Sequence, residues 1–308
     1  MKSTKKRLYF TSPYLGSNVH LTISEERVGK ILQSFEFLGL IALIEEKFDI
    51  LMENYLEYEG ECIRESLRSS ALLPGTIPEI FVIQRKIDRK YSNFLSSCRM
   101  YLDHLNRILS DRLKEVQVKY EQKRTGCFET SFSYRLLEYL RNATQHRFLP
   151  FGFTINSNSL RDEKPYRTVY SFSLDLLVKD VLEDKELKKK FREELESIGD
   201  DSIKLNFHTR TYLNSIGEIH ELVRRETDKQ YAESRSLLEG IFSEYKQADK
   251  EYQDQLQNAL TFYESNEGIP SREIGSITDY SLQNTISLKR KFSVLSTIGY
   301  RTVTNDLE

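Results

Sequence analysis

The sequence from residue 79 to about residue 122 contains neither glycine nor proline, and this stretch restricts the chain to a largely helical fold. Its apolar residues recur every three or four positions, which is the spacing of one face of an α-helix. They include Ile80, Ile83, Ile87, Tyr91, Phe94, Leu95, Cys98, Leu102, Leu105, Leu109 and Val116. The pattern predicts one long helix that ends at Gly126 and has a basic, solvent-exposed side.

Two more helices are predicted around it. The first begins at Ser24, because a serine followed by carboxylates stabilises the first turn of a helix. Its apolar residues cover much of its circumference, which is typical of a helix buried centrally or in a subunit interface. The other runs from about 129 to 148 and ends before Pro150. Because helices joined by short turns pack as antiparallel neighbours, residues 22–150 are predicted to form an antiparallel helical bundle.

The segments before and directly after this bundle are less regular. Residues 1–21 hold Pro13 and Gly16 among β-forming residues, and they predict an extended arm, with one strand at most. Residues 151–172 alternate apolar and polar side chains on both sides of a turn at 161–165, which predicts a β-hairpin.

The C-terminal part is predicted to return to helix. Residues 173–264 predict a helical extension, with one helix from Ser171 or Ser173 to Ile198 and a long helix from 203 to about 264. Residues 265–308 are mixed, and the pattern from 285 to 295 fits a helix or a strand. The expected fold is therefore mainly α: a helical bundle with a β-hairpin insertion and a long C-terminal helix.

The composition of the chain argues against several classes of protein. The 45 basic and 47 acidic side chains leave a net charge of -2, so no overall field draws the chain to nucleic acid or membrane. Three widely spaced cysteines without a CxxC pattern argue for a reducing compartment and against a zinc site. The basic N-terminus lacks an apolar segment behind it, and the apolar window at 35–44 is too short to span a bilayer. We expect a cytoplasmic protein with no membrane partner.

The end of the third helix concentrates the most chemistry. Arg141, Asn142 and His146 follow one another just before the chain turns at Pro150. Asn142 and His146 are four residues apart and share a helix face, so the amide could orient the imidazole. Histidine exchanges a proton at neutral pH, and arginine can hold two phosphate oxygens. Cleavage of RNA through its own 2'-hydroxyl needs such a base and such a cation, and requires neither a metal ion nor a cofactor.

The spacing of this pair is a loose pattern. A second Arg-x4-His match occurs at Arg99 and His104. Cations near a helix C-terminus are also favoured by the helix dipole alone. The alternative is therefore a non-catalytic helical scaffold or sensor subunit that binds partner proteins, in which Arg141 and His146 only stabilise a helix end.

The run Leu-Arg-Asn-Ala-Thr-Gln-His-Arg-Phe-Leu-Pro, at 140–150, resembles the Arg-x4-6-His motif of the HEPN superfamily (higher eukaryote and prokaryote nucleotide-binding). The resemblance implies an all-α bundle that forms a homodimer, with two copies of the motif facing a cleft. It also implies a metal-independent endoribonuclease of antiviral defence or toxin systems, although the family includes inactive members. In this chain His146 would be the general base or acid, Arg141 the phosphate clamp and Asn142 its polar partner. The extension after residue 150 departs from the minimal family pattern.

A basic stretch is the candidate RNA-binding surface. Residues 85–124 contain eleven Lys or Arg and five Asp or Glu, which leaves a local charge of +6. Such a surface would bind RNA in a salt-sensitive manner without reading its sequence, and the alternative is an ordinary solvated helix face. The RNA contacts are assigned to Arg99, Arg107, Lys114 and Arg147. The expected partners are RNA, a second copy of the chain and a protein partner or inhibitor.

Overall fold

The computed structural model describes residues 7–13, 19–72, 76–146, 151–160, 167–250, 258–266 and 269–292. The elements follow one another as β1 (Arg7–Thr11), β2 (Leu21–Ile23), α1 (Glu25–Ala71), α2 (Ile77–Arg112), α3 (Lys114–Thr130), α4 (Phe132–His146), β3 (Phe151–Leu160), β4 (Arg167–Leu177), α5 (Val178–Leu182), α6 (Lys189–Ile198), β5 (Ser202–Lys204), α7 (Leu205–Ala248), β6 (Ala259–Asn266), β7 (Ile269–Thr278) and α8 (Asp279–Lys291). The predicted mainly α fold class is confirmed.

Local sequence explains where the two longest N-terminal helices begin. Ser24 Oγ accepts a hydrogen bond of 3.3 Å from the backbone N–H of Arg27, which satisfies one of the free donors at the start of α1. At the start of α2, the backbone N–H of Thr76 donates to Glu79 Oε2 at 2.6 Å. Pro78 lies in the first turn of α2, where its missing N–H has no helical partner to lose.

The predicted single helix from 79 to 122 is wrong, because it is divided at Leu113. The backbone of Leu113 has φ -136° and ψ 56°, outside the helical region, so α2 ends at Arg112 and α3 begins at Lys114. Gly126, which was expected to end the helix, lies inside α3. A glycine inside a helix costs only about 1 kcal/mol relative to alanine, and this helix accommodates it.

The C-terminal half also differs from the predicted helices. The predicted hairpin is present, since β3 and β4 pair antiparallel. However, β4 continues to Leu177 and passes through Ser171 and Ser173, because its last residues also pair with β5. The predicted helix to Ile198 is therefore two short helices, α5 and α6. The long helix α7 ends at Ala248 and not near 264, since residues 259–266 form a strand.

The described strands form two antiparallel sheets. One has the order β2-β1-β6-β7 and the other the order β3-β4-β5. In the first sheet, Tyr9 lies opposite Thr22 on one side and Tyr263 on the other. The described part of the predicted N-terminal arm is thus built into a sheet with strands from the C-terminal segment. The ambiguous stretch after residue 285 is helical up to the end of α8 at Lys291.

The described residues form two compact units, one within 1–46 and 224–292 and the other within 47–223. The boundary between these units cuts through α1 and α7. In the first unit, Phe10 packs against Phe262 and Tyr245, with ring centroids 5.8 Å apart in each pair. Arg224 bonds both carboxylate oxygens of Glu45 there.

The second unit holds the helical core that carries the predicted motif. His220 of α7 is fully buried. Its ring stacks on Phe48 with centroids 4.0 Å apart, and its Nδ1 hydrogen bonds with the hydroxyl of Tyr101 at 2.8 Å. Cys62, Cys98 and Cys127 are buried free thiols. None of the helices in the described ranges has the length and apolar character needed to cross a membrane.

Candidate functional site

The predicted motif lies at the C-terminal end of α4, and this helix buries its arginine. Leu136, Leu137 and Leu140 are fully buried. Arg141 follows Leu137 by four residues, so it lies on the same side of the helix. Its side chain is consequently buried, with 5% of the residue exposed. A buried guanidinium must be paired, and its partners decide what it can do.

Arg141 is bound by its neighbours in the same helix. Nη1 donates to Glu138 Oε1 at 3.0 Å and lies 2.9 Å from Oε2, and Nη2 donates to Asn142 Oδ1 at 2.9 Å. Tyr212 of α7 donates a further hydrogen bond of 2.7 Å to Glu138 Oε1. We call Glu138, Arg141, Asn142 and Tyr212 the α4 cluster. Arg141 is the predicted phosphate clamp, but in this arrangement its guanidinium forms an ion pair with Glu138.

The groups around this cluster are held in their protonated forms. Burial raises the pKa of Tyr212 well above its ordinary value, and the nearby Glu138 carboxylate adds to that effect. Burial also raises the pKa of the Cys98 thiol, with a further contribution from Glu138. Tyr212 therefore remains a hydrogen-bond donor to Glu138 over the whole physiological pH range. The α4 cluster thus contains a paired cation and carboxylate, an amide and a neutral hydroxyl group, and the thiol of Cys98 nearby is also neutral.

The predicted catalytic base, His146, lies at the very end of α4. Its side chain lies outside the described residues, as does all of Arg147. The structure thus brings Arg141 and Asn142 together and gives only the backbone position of His146.

Two of the predicted RNA-binding side chains, Arg107 and Lys114, lie on different helices. Both are exposed, and the break at Leu113 separates the two helices. Arg99 is paired with Asp103 four residues later. Other cations of the stretch are also engaged, since Lys86 and Lys90 bind Glu61. The local charge of +6 is therefore partly neutralised by these ion pairs.

A cavity of about 380 Å³ lies on the side of α4 away from the buried leucines. Phe128, Tyr139 and Phe191 give it aromatic walls, and Asn142 and Glu138 of the α4 cluster also line it. Asn142 is exposed, so it connects the buried arginine with this open space. This cavity was not predicted from the sequence, because its walls come from α3 and α4 and from the α5–α6 segment, which follows them only after the hairpin of β3 and β4.

The most important residue missed from the sequence is Glu138. It precedes Arg141 by three residues, and opposite charges at this spacing on a helix are recognisable as a pair. Tyr212 carries no comparable local signal, because its hydrogen bond to Glu138 spans 74 residues of sequence.

In comparisons with protein-family models, with curated proteins and with solved structures, this chain has no significant match.

Proposed function

We propose that this chain is a non-catalytic helical scaffold that binds a partner protein through the end of the α1–α2 hairpin. Of the fifteen exposed large apolar side chains among the described residues, six lie around that end. We call this set the apolar tip, and it consists of Ile63, Leu67, Leu72, Ile80, Phe81 and Val82. This clustering at one end of the hairpin carries the proposal, because large exposed apolar side chains that cluster on a protein surface mark sites of interaction.

The hairpin beneath the apolar tip is well supported. The rings of Tyr58 and Tyr91 pack between α1 and α2 with centroids 4.8 Å apart. Closer to the tip, the buried carboxylate of Glu61 lies 2.5 Å from Lys86 Nζ and 3.1 Å from Lys90 Nζ. The apolar side chains are thus displayed on two helices whose register is fixed, which lowers the entropic cost of binding.

Apolar groups lie on both outer faces of the hairpin. Leu67 is nine residues from Tyr58, and Val82 is nine residues from Tyr91, which is about half a turn around each helix axis. Both residues therefore point away from the face on which the two helices meet, and their exposed fractions are 66% and 56%. Because the end of the hairpin is apolar on opposite sides, a cleft buries it better than a flat surface does. We therefore propose that the partner is a protein with an apolar cleft that receives the apolar tip.

The apolar tip extends beyond the start of α7. Phe48 stacks on His220, and the carboxylate of Glu59 bonds Arg210 with distances of 2.9 and 3.0 Å, so α1 and α7 run antiparallel. Since α7 begins at Leu205, the last turns of α1 continue past it by about 10 Å at 1.5 Å per residue.

The ion pair between the buried Arg141 and Glu138 also favours a scaffold over a catalyst, because it engages the guanidinium that would have to bind a phosphate.

The first test uses the apolar tip. We expect the paired change Leu67→Asp and Val82→Asp to weaken binding of the partner about 100-fold or more, because each charge would be buried in an apolar contact. The partner is identified by placing a photo-crosslinking residue at position 67 or 82 in cells, and its affinity is then measured with purified proteins.

The matched control is a crosslinking residue at Val118, which is 57% exposed on α3. Equal crosslinking from position 118, or unchanged affinity in the Asp variant, would contradict the proposal. Crosslinking only to a second copy would replace the partner by a homodimer.

A second proposal is the HEPN-type endoribonuclease of defence or toxin systems. The hydrogen bond between Arg141 and Asn142 supports it, because it joins two of the three motif residues beside an open cavity. In this proposal His146 takes the proton of the RNA 2'-hydroxyl and Arg141 stabilises the charge on phosphorus. The 2'-oxygen bonds to phosphorus and the P–O5' bond breaks, which gives a 2',3'-cyclic phosphate and a 5'-hydroxyl that takes up a proton. Arg141 must first leave Glu138, and a second copy must complete the site across a homodimer interface.

The second test is RNA cleavage by the purified protein in EDTA. His146→Ala is expected to lower the cleavage rate by about 10²–10⁴-fold, since it removes the general base. His104→Ala is the matched control, because the exposed His104 belongs to the other Arg-x4-His match. If wild type and His146→Ala behave alike, the endoribonuclease proposal fails and the scaffold proposal is unaffected.

A further inference from the structure

We propose that the cavity beside α4 binds a small molecule with a fused, planar aromatic ring and a hydrogen-bond acceptor at the ring edge. The volume of about 380 Å³ lies at the lower end of the range for small-molecule pockets. The site is independent of both proposed functions, since it requires neither the apolar tip nor a catalytic His146.

The aromatic character of the ligand follows from the walls. Tyr139 and Phe191 pack with ring centroids 5.7 Å apart and 46° between their planes. Phe128 completes the wall and is 42% exposed, although it is a large aromatic residue. A flat ring entering the cavity would cover Phe128 and make offset or edge contacts with the other two rings, which are favourable beyond simple burial of apolar surface.

Three of the charged residues that line the cavity, Arg135, Glu138 and Asp184, are engaged within the protein, and the other two, Glu186 and Lys188, are exposed and opposite in charge. Asp184 Oδ2 accepts from the hydroxyl of Tyr139 at 3.0 Å, and Asp184 Oδ1 accepts from the backbone N–H of Glu186 at 2.9 Å. Arg135 binds Glu194 and the backbone carbonyls of Phe128 and Glu129. Glu138 is bound by Arg141 and Tyr212. These bonds fix the shape of the cavity, and a neutral ligand suits it better than a charged one.

Asn142 determines the polar contact. Its Oδ1 accepts from Arg141, and because a guanidinium can only donate, this bond fixes which amide atom is the oxygen. The Nδ2 hydrogens of Asn142 are thus the donors left for the cavity that this residue lines. A ring nitrogen or carbonyl at the edge of the ligand is their complement.

Three probe molecules of similar size test this site: isoquinoline, whose ring nitrogen accepts, indole, whose N–H donates, and cyclohexanol, which is not planar. Saturation-transfer NMR and calorimetry on the full chain are expected to show binding in the order isoquinoline, indole, cyclohexanol. Ala143→Leu places a larger side chain in the cavity without loss of helix propensity, and it should weaken both aromatic probes about tenfold or more. Asn142→Ala should weaken isoquinoline about tenfold and leave indole unchanged.

The matched control is Phe207→Ala, which removes an exposed phenylalanine of α7 that does not line the cavity. It should leave the binding of all three probes unchanged, whereas Phe128→Ala should weaken the two aromatic ones. Equal binding of cyclohexanol and isoquinoline would overturn the aromatic assignment. Unchanged affinity in Ala143→Leu would overturn the site itself, and equal losses for indole and isoquinoline in Asn142→Ala would overturn the role of the amide.

Discussion

Glu138→Ala is expected to lower the free energy of unfolding by about 3–5 kcal/mol, because it leaves the buried Arg141 guanidinium without its counter-charge. The two side chains are only 13% and 6% exposed, so water cannot replace the lost carboxylate. Tyr212 would lose its acceptor as well, which adds to the cost. Chemical denaturation followed by circular dichroism measures the change.

Two further variants separate the ion pair from simple loss of volume. Glu186→Ala removes an exposed carboxylate near the same cavity, and it should change stability by less than about 0.5 kcal/mol. The double variant Glu138→Leu with Arg141→Met should be less destabilised than Glu138→Ala alone, since an apolar pair leaves no buried charge. A loss of less than about 1 kcal/mol in Glu138→Ala would show that Arg141 finds another partner, and Arg141 would then be available to a phosphate.

The same ion pair separates the two proposed functions. An arginine that stabilises a helical core needs Glu138 in every state of the protein. A phosphate clamp needs Glu138 only until a substrate arrives. If Glu138→Gln raised RNA cleavage while lowering stability, the pair would hold back an enzyme, whereas lower stability without cleavage is the result expected of a scaffold.

Helix content could be predicted from the sequence, because the apolar spacing in α1, α2 and α7 is a local signal. The strand partners could not, since β1 pairs with β6 across more than 240 residues of chain. The sequence predicts helix up to about residue 264, although β6 begins at Ala259, because the strand character of this segment depends on its two neighbouring strands. The helix break at Leu113 could not be predicted either, because no glycine or proline lies at this position.

The candidate site shows the same division between local and distant information. The neighbours Arg141 and Asn142 could be selected from their spacing, and the structure joins them by a hydrogen bond. Whether Arg141 faces solvent or core depends on Leu137 and Leu140, whose pattern placed it on the buried side of α4. The cavity depends on Phe128 and Phe191, which come from different helices, so no local pattern indicates it.

Glu61→Gln should have the second large effect, a loss of about 3 kcal/mol in stability, because it removes the central charge of the α1–α2 hairpin. The Glu61 side chain is fully buried, and Lys86 and Lys90 both reach its carboxylate. Burial by itself raises the pKa of Glu61, but the hydrogen bonds and charges of these two lysines outweigh that effect and leave the pKa below its ordinary value.

The sign of the pH dependence follows from this lowered pKa. The carboxylate contributes its stability above the unfolded pKa of about 4.3, and the contribution is lost as the pH falls through the lower pKa of the folded state. The wild type should therefore lose more stability than Glu61→Gln between about pH 5 and the acid limit of folding. Glu57→Gln is the matched control, since it makes the same change at an exposed position of α1.

Hydrogen exchange would show where the stability is lost. In Glu61→Gln, backbone amides in the last turns of α1 and the first turns of α2 should exchange faster than amides around Tyr101 and His220, because the lost charge lies near the apolar tip. Parallel curves of stability against pH for Glu61→Gln and wild type would contradict the role of the carboxylate. Weaker partner binding in Glu61→Gln, with the apolar side chains unchanged, would show that the register of the hairpin presents the apolar tip.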